Sequence, residues 1–233
     1  CGTDCTETYS HGTVVNLTAS ADIGSVFRGW SEGGCSGTDP ECIIAMIGNT
    51  TVTAAFSLAP HLSVNEGTIG TQITITGSDF GAKKGKVLIQ KIAAKIAKDG
   101  WAPDSITFTL TRVPPVGTHD VTIKPNKADD ITLTSAFTVK PPEIDSLDFY
   151  TGAAGDPITI TGTFFGTRKG KVYLEYEKNG KPKKKNCKVT SWGMNSITFV
   201  LPKTSKSLPP GTYPLKVMNK IDIAGAPSVF TIN

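Results

Sequence analysis

The sequence predicts an all-β chain, and three observations carry that expectation. A glycine-bracketed stretch occurs twice: Gly70–Gly81 returns as Gly155–Gly166, each with an Ile-Thr-Ile-Thr-Gly run and a closing Phe-Gly pair. In both copies Ile and Thr alternate, at Ile73–Thr76 and Ile158–Thr161, the period-two signature of a strand with one buried face. The remaining apolar runs are rich in Val, Ile and Thr, and helix formers never accumulate over a long amphipathic window. The 85-residue offset between the copies exceeds the roughly 20–50 residues of a solenoid repeat. It predicts two copies of one small domain, preceded by a shorter module that holds four of the five cysteines.

Composition agrees with a globular chain: 233 residues, 38% hydrophobic, 19% charged, mean hydropathy −0.08. No apolar run approaches the roughly 18 residues of a membrane-spanning helix. The chain starts at Cys1 with no leader pattern, so a processed chain or a fragment is expected. The net charge of +4 is unevenly spread: residues 1–59 carry one basic and six acidic side chains, residues 60–140 ten and seven, residues 141–233 thirteen and seven. A C-terminal basic excess can steer an anionic partner, although a solvated lysine-rich surface is the favoured reading.

Residues 1–59 read as a disulfide-bearing β module. Cys1, Cys5, Cys35 and Cys42 form an even set in a loop-rich segment, the pattern of an oxidising compartment. Three pairings are open; the local pairs Cys1–Cys5 and Cys35–Cys42 are favoured because each closes a short Gly/Thr/Asp loop. A four-thiolate zinc site competes, but six residues separate the second pair where structural zinc sites prefer two to four between ligands. Four short strands are predicted, around Thr13–Ala19, Ser25–Trp30, Ile43–Met46 and Thr50–Phe56.

Together, Cys1-Gly2 with Cys5, the Gly12–Ala19 run, Phe27 with Gly29-Trp30-Ser31, Cys35–Thr38, Cys42 and Thr51–Phe56 resemble the divergent internalin-type B-repeat of bacterial surface proteins. That resemblance implies a further strand before the Cys1 pattern, so the module is expected either to be truncated or to take its first strand from upstream sequence or from another molecule. Two other readings touch the same residues. Gly29–Gly33 satisfies G-x-S-x-G, but a nucleophile elbow needs a helix after it and Asp and His downstream; a Gly-Gly-Cys loop follows, and His61 and His119 lie in other modules without an obvious partner. A lipidated Cys1 would leave Cys5 without the partner that the repeat pattern assigns it.

Residues 60–140 and 141–233 are the two copies, punctuated by Pro60 and Pro141-Pro142, which favour short extended junctions. Each runs through an alternating strand, a Phe-Gly turn, a Lys-Val strand at Lys86 or Lys171, and a Trp at 101 or 192 before Ser-Ile-Thr-Phe. A Pro-Pro/Gly-Thr strand and a closing Phe-Thr strand follow. Six or seven strands with turns every 8–12 residues is the pattern of an Ig-like sandwich. These motifs, in this order, resemble IPT/TIG domains, the Ig-like fold of plexins, some transcription factors and many bacterial surface proteins. With a local offset of 91, Cys187 aligns with Ile96 and reads as a small core hydrophobe.

The second copy carries an insertion around Asn179-Gly180, the dipeptide of a type I′ hairpin. It is expected to project Lys181, Lys183, Lys184, Lys185 and Lys188 together, a candidate contact for an acidic polymer. An all-lysine cluster reads backbone charge and not bases, so no specific nucleic acid is expected; protection of an exposed sheet edge is the favoured reading of the lysines. Asp99, Asp129 and Asp130 lack the spacing of a calcium loop. No metal or other cofactor and no catalytic residues are expected, because no acid, base and nucleophile set converges. Three roles remain: a non-catalytic structural or adhesive segment of an exported bacterial surface protein, meeting other domains or subunits of an assembly; a subunit of an extracellular filament built by strand exchange; and a carbohydrate-binding accessory module of a secreted enzyme, using aromatic platforms such as Tyr150, Tyr173, Tyr176 or Trp192.

Overall fold

In the computed structural model residues 5–206, 208–220, 225 and 227–233 are described, and every helix or strand among them is a strand. The first four are β1 (Val14–Thr18), β2 (Ser25–Ser31), β3 (Glu41–Ala45) and β4 (Thr53–Leu58). The first copy contributes β5 (His61–Leu62), β6 (Glu66–Gly67), β7 (Gln72–Thr76), β8 (Lys86–Ile89), β9 (Ile92–Ala93), β10 (Lys95–Trp101), β11 (Ser105–Thr109), β12 (Gly117–Lys124) and β13 (Ile131–Val139). The second contributes β14 (Glu143–Leu147), β15 (Thr151–Gly152), β16 (Pro157–Thr163), β17 (Lys171–Lys178), β18 (Lys181–Asn186), β19 (Lys188–Trp192), β20 (Ser196–Val200), β21 (Gly211–Met218) and β22 (Ser228–Ile232).

Contacts divide the chain into two units, Cys1–His61 with Ile75–Phe80 and Pro103–Ser105, and Leu62–Thr74 with Gly81–Ala102 and Ile106–Asn233. In the first unit β1 pairs antiparallel with β3 and β2 with β4. Phe27 meets Trp30 at 5.3 Å and Phe56 at 5.4 Å between ring centroids, and the Trp30 indole donates to the Asp39 carbonyl. Arg28 pairs with Asp79 at 2.9 Å. Among the described residues of β1 to β4 and their loops, Cys35 alone is fully buried; Val14 and Ile43 stay 67% and 68% exposed on one face of the β1–β3 pair. Cys35 and Cys42 are joined by a disulfide, so their sulfurs are not thiolate ligands. Cys1, and with it the expected Cys1–Cys5 pair, lies outside the described residues. Ser31 ends β2 and the chain goes on into turn and loop, not a helix.

Both copies are two-sheet sandwiches with the same strand order. The first stacks β10-β11-β7-β5 with β6-β13-β12-β8-β9, and the second β14-β16-β20-β19 with β15-β22-β21-β17-β18. One side of each alternating strand makes the core: Ile73 and Ile75 in β7, Ile158 and Ile160 in β16, are all buried. The threonines between them face outward and bond across the sheet, Thr74 to Thr107 and Thr159 to Thr198. The two Phe-Gly turns are held alike, with the Trp101 indole donating to the Gly81 carbonyl and the Trp192 indole to that of Gly166, each at 2.9 Å. A ring tip is tied back four residues in both copies as well: Tyr213 Oη donates to the Pro209 carbonyl, and His119 Nε2 lies 2.7 Å from that of Pro115.

The alignment of Cys187 with Ile96 is corrected. Ile96 pairs with Phe108 and Val189 with Phe199, so Val189 is the counterpart of Ile96. A longer bulge in β10, with Asp99 at φ +56°, absorbs the extra residues between Ile96 and Trp101. Cys187 is nonetheless a core residue, where the chain passes from β18 to β19.

Candidate functional site

The feature that distinguishes the second copy is the hairpin of β17 and β18. In the first copy β8 and β9 reverse after Ile89 and Ile92; in the second the ribbon runs to Lys178 and Lys181. Asn179 and Gly180 sit at φ +53° and +68°, the left-handed pair a type I′ turn demands. That two-residue turn sets the register: Lys178 opposes Lys181, Tyr176 opposes Lys183, Leu174 opposes Lys185, Glu175 opposes Lys184 and Glu177 opposes Pro182.

Directly opposed residues share a face, which corrects the expectation that all five lysines project together. Lys181, Lys183 and Lys185 lie on one face with Lys178. Lys184 lies on the other, its Nζ 4.5 Å from the Tyr173 ring centroid and 3.3 Å from the Tyr173 hydroxyl. Beside it Lys216 pairs with Glu175 at 3.2 Å. Lys188 belongs to β19, in the opposing sheet. Lys178 was not among the residues singled out from sequence; the Asn-Gly turn was the signal, because it makes the flanking residues opposite partners.

A cleft of about 560 Å³ opens where the ribbon leaves its neighbour, lined by Glu175, Tyr176, Glu177, Pro182, Thr212 and Tyr213 among others. The cause is local. The β17–β21 ladder runs from Lys171–Met218 to Leu174–Leu215 and stops there, and the next residue of β21 is Pro214, which has no N–H to donate. Of the four aromatic candidates Tyr176 lines this cleft. Tyr173 is buried beneath Lys184, and Trp192 is committed to the Gly166 carbonyl and packs against Phe165, so neither presents a free platform. Tyr150 is exposed, apart from the ribbon in the loop before β15.

Cys187 shares the core under this ribbon. Burial pushes its thiol up to about 12, with the Lys185 ammonium pulling the other way. Asp130 pairs with Lys124 and Asp99 occupies the β10 bulge. Among the described residues no group of three or more His, Cys, Asp or Glu is placed to hold a metal, and no helix is long and apolar enough to cross a membrane, which says nothing of a β-barrel.

Comparison with known proteins gives two family matches. The divergent InlB B-repeat domain matches residues 2–60, and the IPT/TIG domain matches residues 57–139 and again 142–232. No curated protein matches the chain. Similar solved structures include the plexin A4 extracellular region (16% identity, 75% of this chain and 18% of that one, TM-score 0.38). They also include the Bacteroides ovatus mixed-linkage glucan locus protein SGBP-B (12%, 96% and 64%, TM-score 0.34) and the Prevotella bryantii surface glycan-binding protein (16%, 92% and 42%, TM-score 0.33). The chain spans less than two thirds of the length of each, and at these scores the likeness says nothing about what it binds. The two IPT/TIG matches together cover well over half of the sequence, and the chain belongs to the IPT/TIG domain family, with a divergent InlB B-repeat domain ahead of its two copies.

Proposed function

We propose that this chain is a non-catalytic structural and adhesive segment of an exported bacterial surface protein, in which the TIG pair acts as a stiff spacer presenting a binding face. One observation carries the proposal: the junction between the two TIG copies, within the second unit, is packed like a core and not strung like a linker. Thr68 and Asn219, the two fully buried polar residues among those described, come from different copies, and the Asn219 amide donates to the Thr68 hydroxyl at 3.5 Å. The Thr167 N–H donates to the Ile69 carbonyl. A Cβ added to Gly70 would collide with the Thr167 side chain, and one added to Gly166 would lie 2.7 Å from Ile69 Cγ2. Buried polar groups satisfied across a boundary resist its opening, because separation leaves them to be re-solvated at the expense of the packing around them.

The Cys35–Cys42 disulfide supports the oxidising exterior of the cell as the place of action. The expected behaviour is that backbone ¹⁵N relaxation of the full chain gives one rotational correlation time for the strands of both TIG copies. Two different times would make the pair beads on a string and end the spacer role.

A second role, a filament subunit that grows by strand addition, is favoured by the two-stranded β1–β3 and β2–β4 pairs and by Val14 and Ile43 exposed on one face. It predicts concentration-dependent growth in light scattering, lost on Val14→Lys with Ile43→Lys; a monomer at every concentration excludes it.

A further inference from the structure

We propose that the face of the β17–β18 ribbon carrying Lys178, Lys181, Lys183 and Lys185 is a binding ladder for an anionic polysaccharide. This deepens the adhesive role above and rests on it for where the glycan is met, while its chemistry stands on the ribbon alone.

The register supplies the first argument. On this face Lys178 directly opposes Lys181, Lys183 opposes Tyr176, and Lys185 opposes Leu174. Both carboxylates of the ribbon, Glu175 and Glu177, fall on the other face, where Glu175 meets Lys216. Like charges directly opposed destabilise a hairpin. Guarding an edge strand gains nothing from that repulsion. The four ammonium groups are therefore arranged for something outside the ribbon. The whole of β18 is exposed, and none of the four makes an ion pair among the described residues.

The spacing and the residue type narrow the ligand. Alternate residues of a strand repeat every ~7 Å, so Lys181, Lys183 and Lys185 set three positive charges along a line. Lysine is a point charge without the planar fork that reads phosphate or guanine bidentately. A line of lysines suits a chain whose charges recur along its length. Tyr176 opposes Lys183 within the ladder but packs against the core of the second copy, and the cleft it borders holds Glu175 and Glu177 of the other face, so the line of ammonium groups makes the contact. A single aromatic gives no platform for successive bases. The Cys35–Cys42 disulfide also sets the encounter outside the reducing interior. A carboxylated or sulfated glycan met outside the cell fits the lysine line and the disulfide together, and a nucleic acid fits only the charge.

The test uses the full chain in titration calorimetry at low and moderate salt against polygalacturonate, chondroitin sulfate, a neutral β-glucan and single-stranded oligothymidylate. Two triple variants remove the same charge from different places: K181Q/K183Q/K185Q from the ladder, and K184Q/K188Q/K203Q from the other face, the other sheet and a loop. Binding to at least one anionic glycan is expected. The ladder triple should weaken it by about tenfold or more and flatten its salt dependence, since fewer counterions are released; the control triple should stay within about twofold of the parent. Native near-ultraviolet circular dichroism of the tryptophans verifies that each variant is folded. Equal losses in both triples would mean that only net charge matters and would overturn the proposal. So would binding to neither anionic glycan, or tighter binding to the oligothymidylate. Failure here leaves the ¹⁵N relaxation result untouched, and a flexible TIG junction leaves the lysine contrast untouched, so the two outcomes separate.

Discussion

Cys187 shows how a single residue reports its surroundings. Its thiol lies in the core of the second TIG copy, and its N–H donates to the Val172 carbonyl at 2.8 Å. Burial raises its pKa from 9.0 to about 12, so the unfolded chain releases this proton from about pH 9 while the folded chain holds it. The unfolded state then binds fewer protons than the native one, and stability falls as pH rises through the window from 9 to 12. At pH 8 Cys187→Ala should be the less stable protein, having lost a buried sulfur. Thermal melts at rising pH should bring the two together, because only the parent loses the thiol's contribution, and a gap unchanged from pH 8 to 11 would contradict this. Burial of Cys187 was legible only through its offset to Ile96, since its neighbours Lys185, Asn186 and Lys188 are polar. Its true counterpart was not, because a bulge between Ile96 and Trp101 changes the alignment without altering the Trp and Ser-Ile-Thr-Phe landmarks on either side.

At the level of elements, the repeated motif contains its own control. Gly81 and Gly166 close the same Phe-Gly turn, both with positive φ, +72° and +80°. Nothing lies within 4 Å of a Cβ at Gly81, whereas one at Gly166 meets Ile69. Alanine at either site takes on the strain of the left-handed conformation, about 1 kcal/mol. Gly166→Ala should cost a further ~1–2 kcal/mol from forcing Ile69 aside. Denaturant titrations of both variants measure the difference, and equal losses would show that the junction yields freely. The strands themselves were readable, since Ile/Thr alternation and the Asn-Gly turn each have a local cause. Which lysines share a face was not readable from their clustering. Consecutive residues alternate sides, so Lys183, Lys184 and Lys185 cannot act as one patch, and only the partner strand reveals that Lys178 joins them. The junction was equally hidden: Thr68 and Asn219 are 151 residues apart, and neither type in its local context signals burial.

For the whole molecule, the fold was legible because a doubled domain states its pattern twice, and the lysine ladder was not, because it depends on strand register. The first module contrasts with the two sandwiches in how it is held. Ile73, Phe108, Phe137 and their neighbours give the first sandwich a closed core, as Ile160, Phe199 and Phe230 do the second. The module around β1 to β4 has Cys35 as its one fully buried hydrophobe among the described residues and leaves Val14 and Ile43 largely in solvent. So small a core leans on its cross-link. The Cys35–Cys42 bond spans seven positions, and closing so short a loop contributes about 2 kcal/mol on the chain-entropy account. Each of the three tryptophans falls in a different module, and Trp30 bonds to Asp39 inside the loop that the disulfide closes. Fluorotryptophan ¹⁹F spectra therefore read the modules separately. With reductant the Trp30 resonance should move to its unfolded position on heating while those of Trp101 and Trp192 keep their native shifts. Joint collapse of all three would show that the module draws its stability from the sandwiches. A Trp30 signal indifferent to reductant would show that the aromatic cluster of Phe27, Trp30 and Phe56 holds the module without the bond.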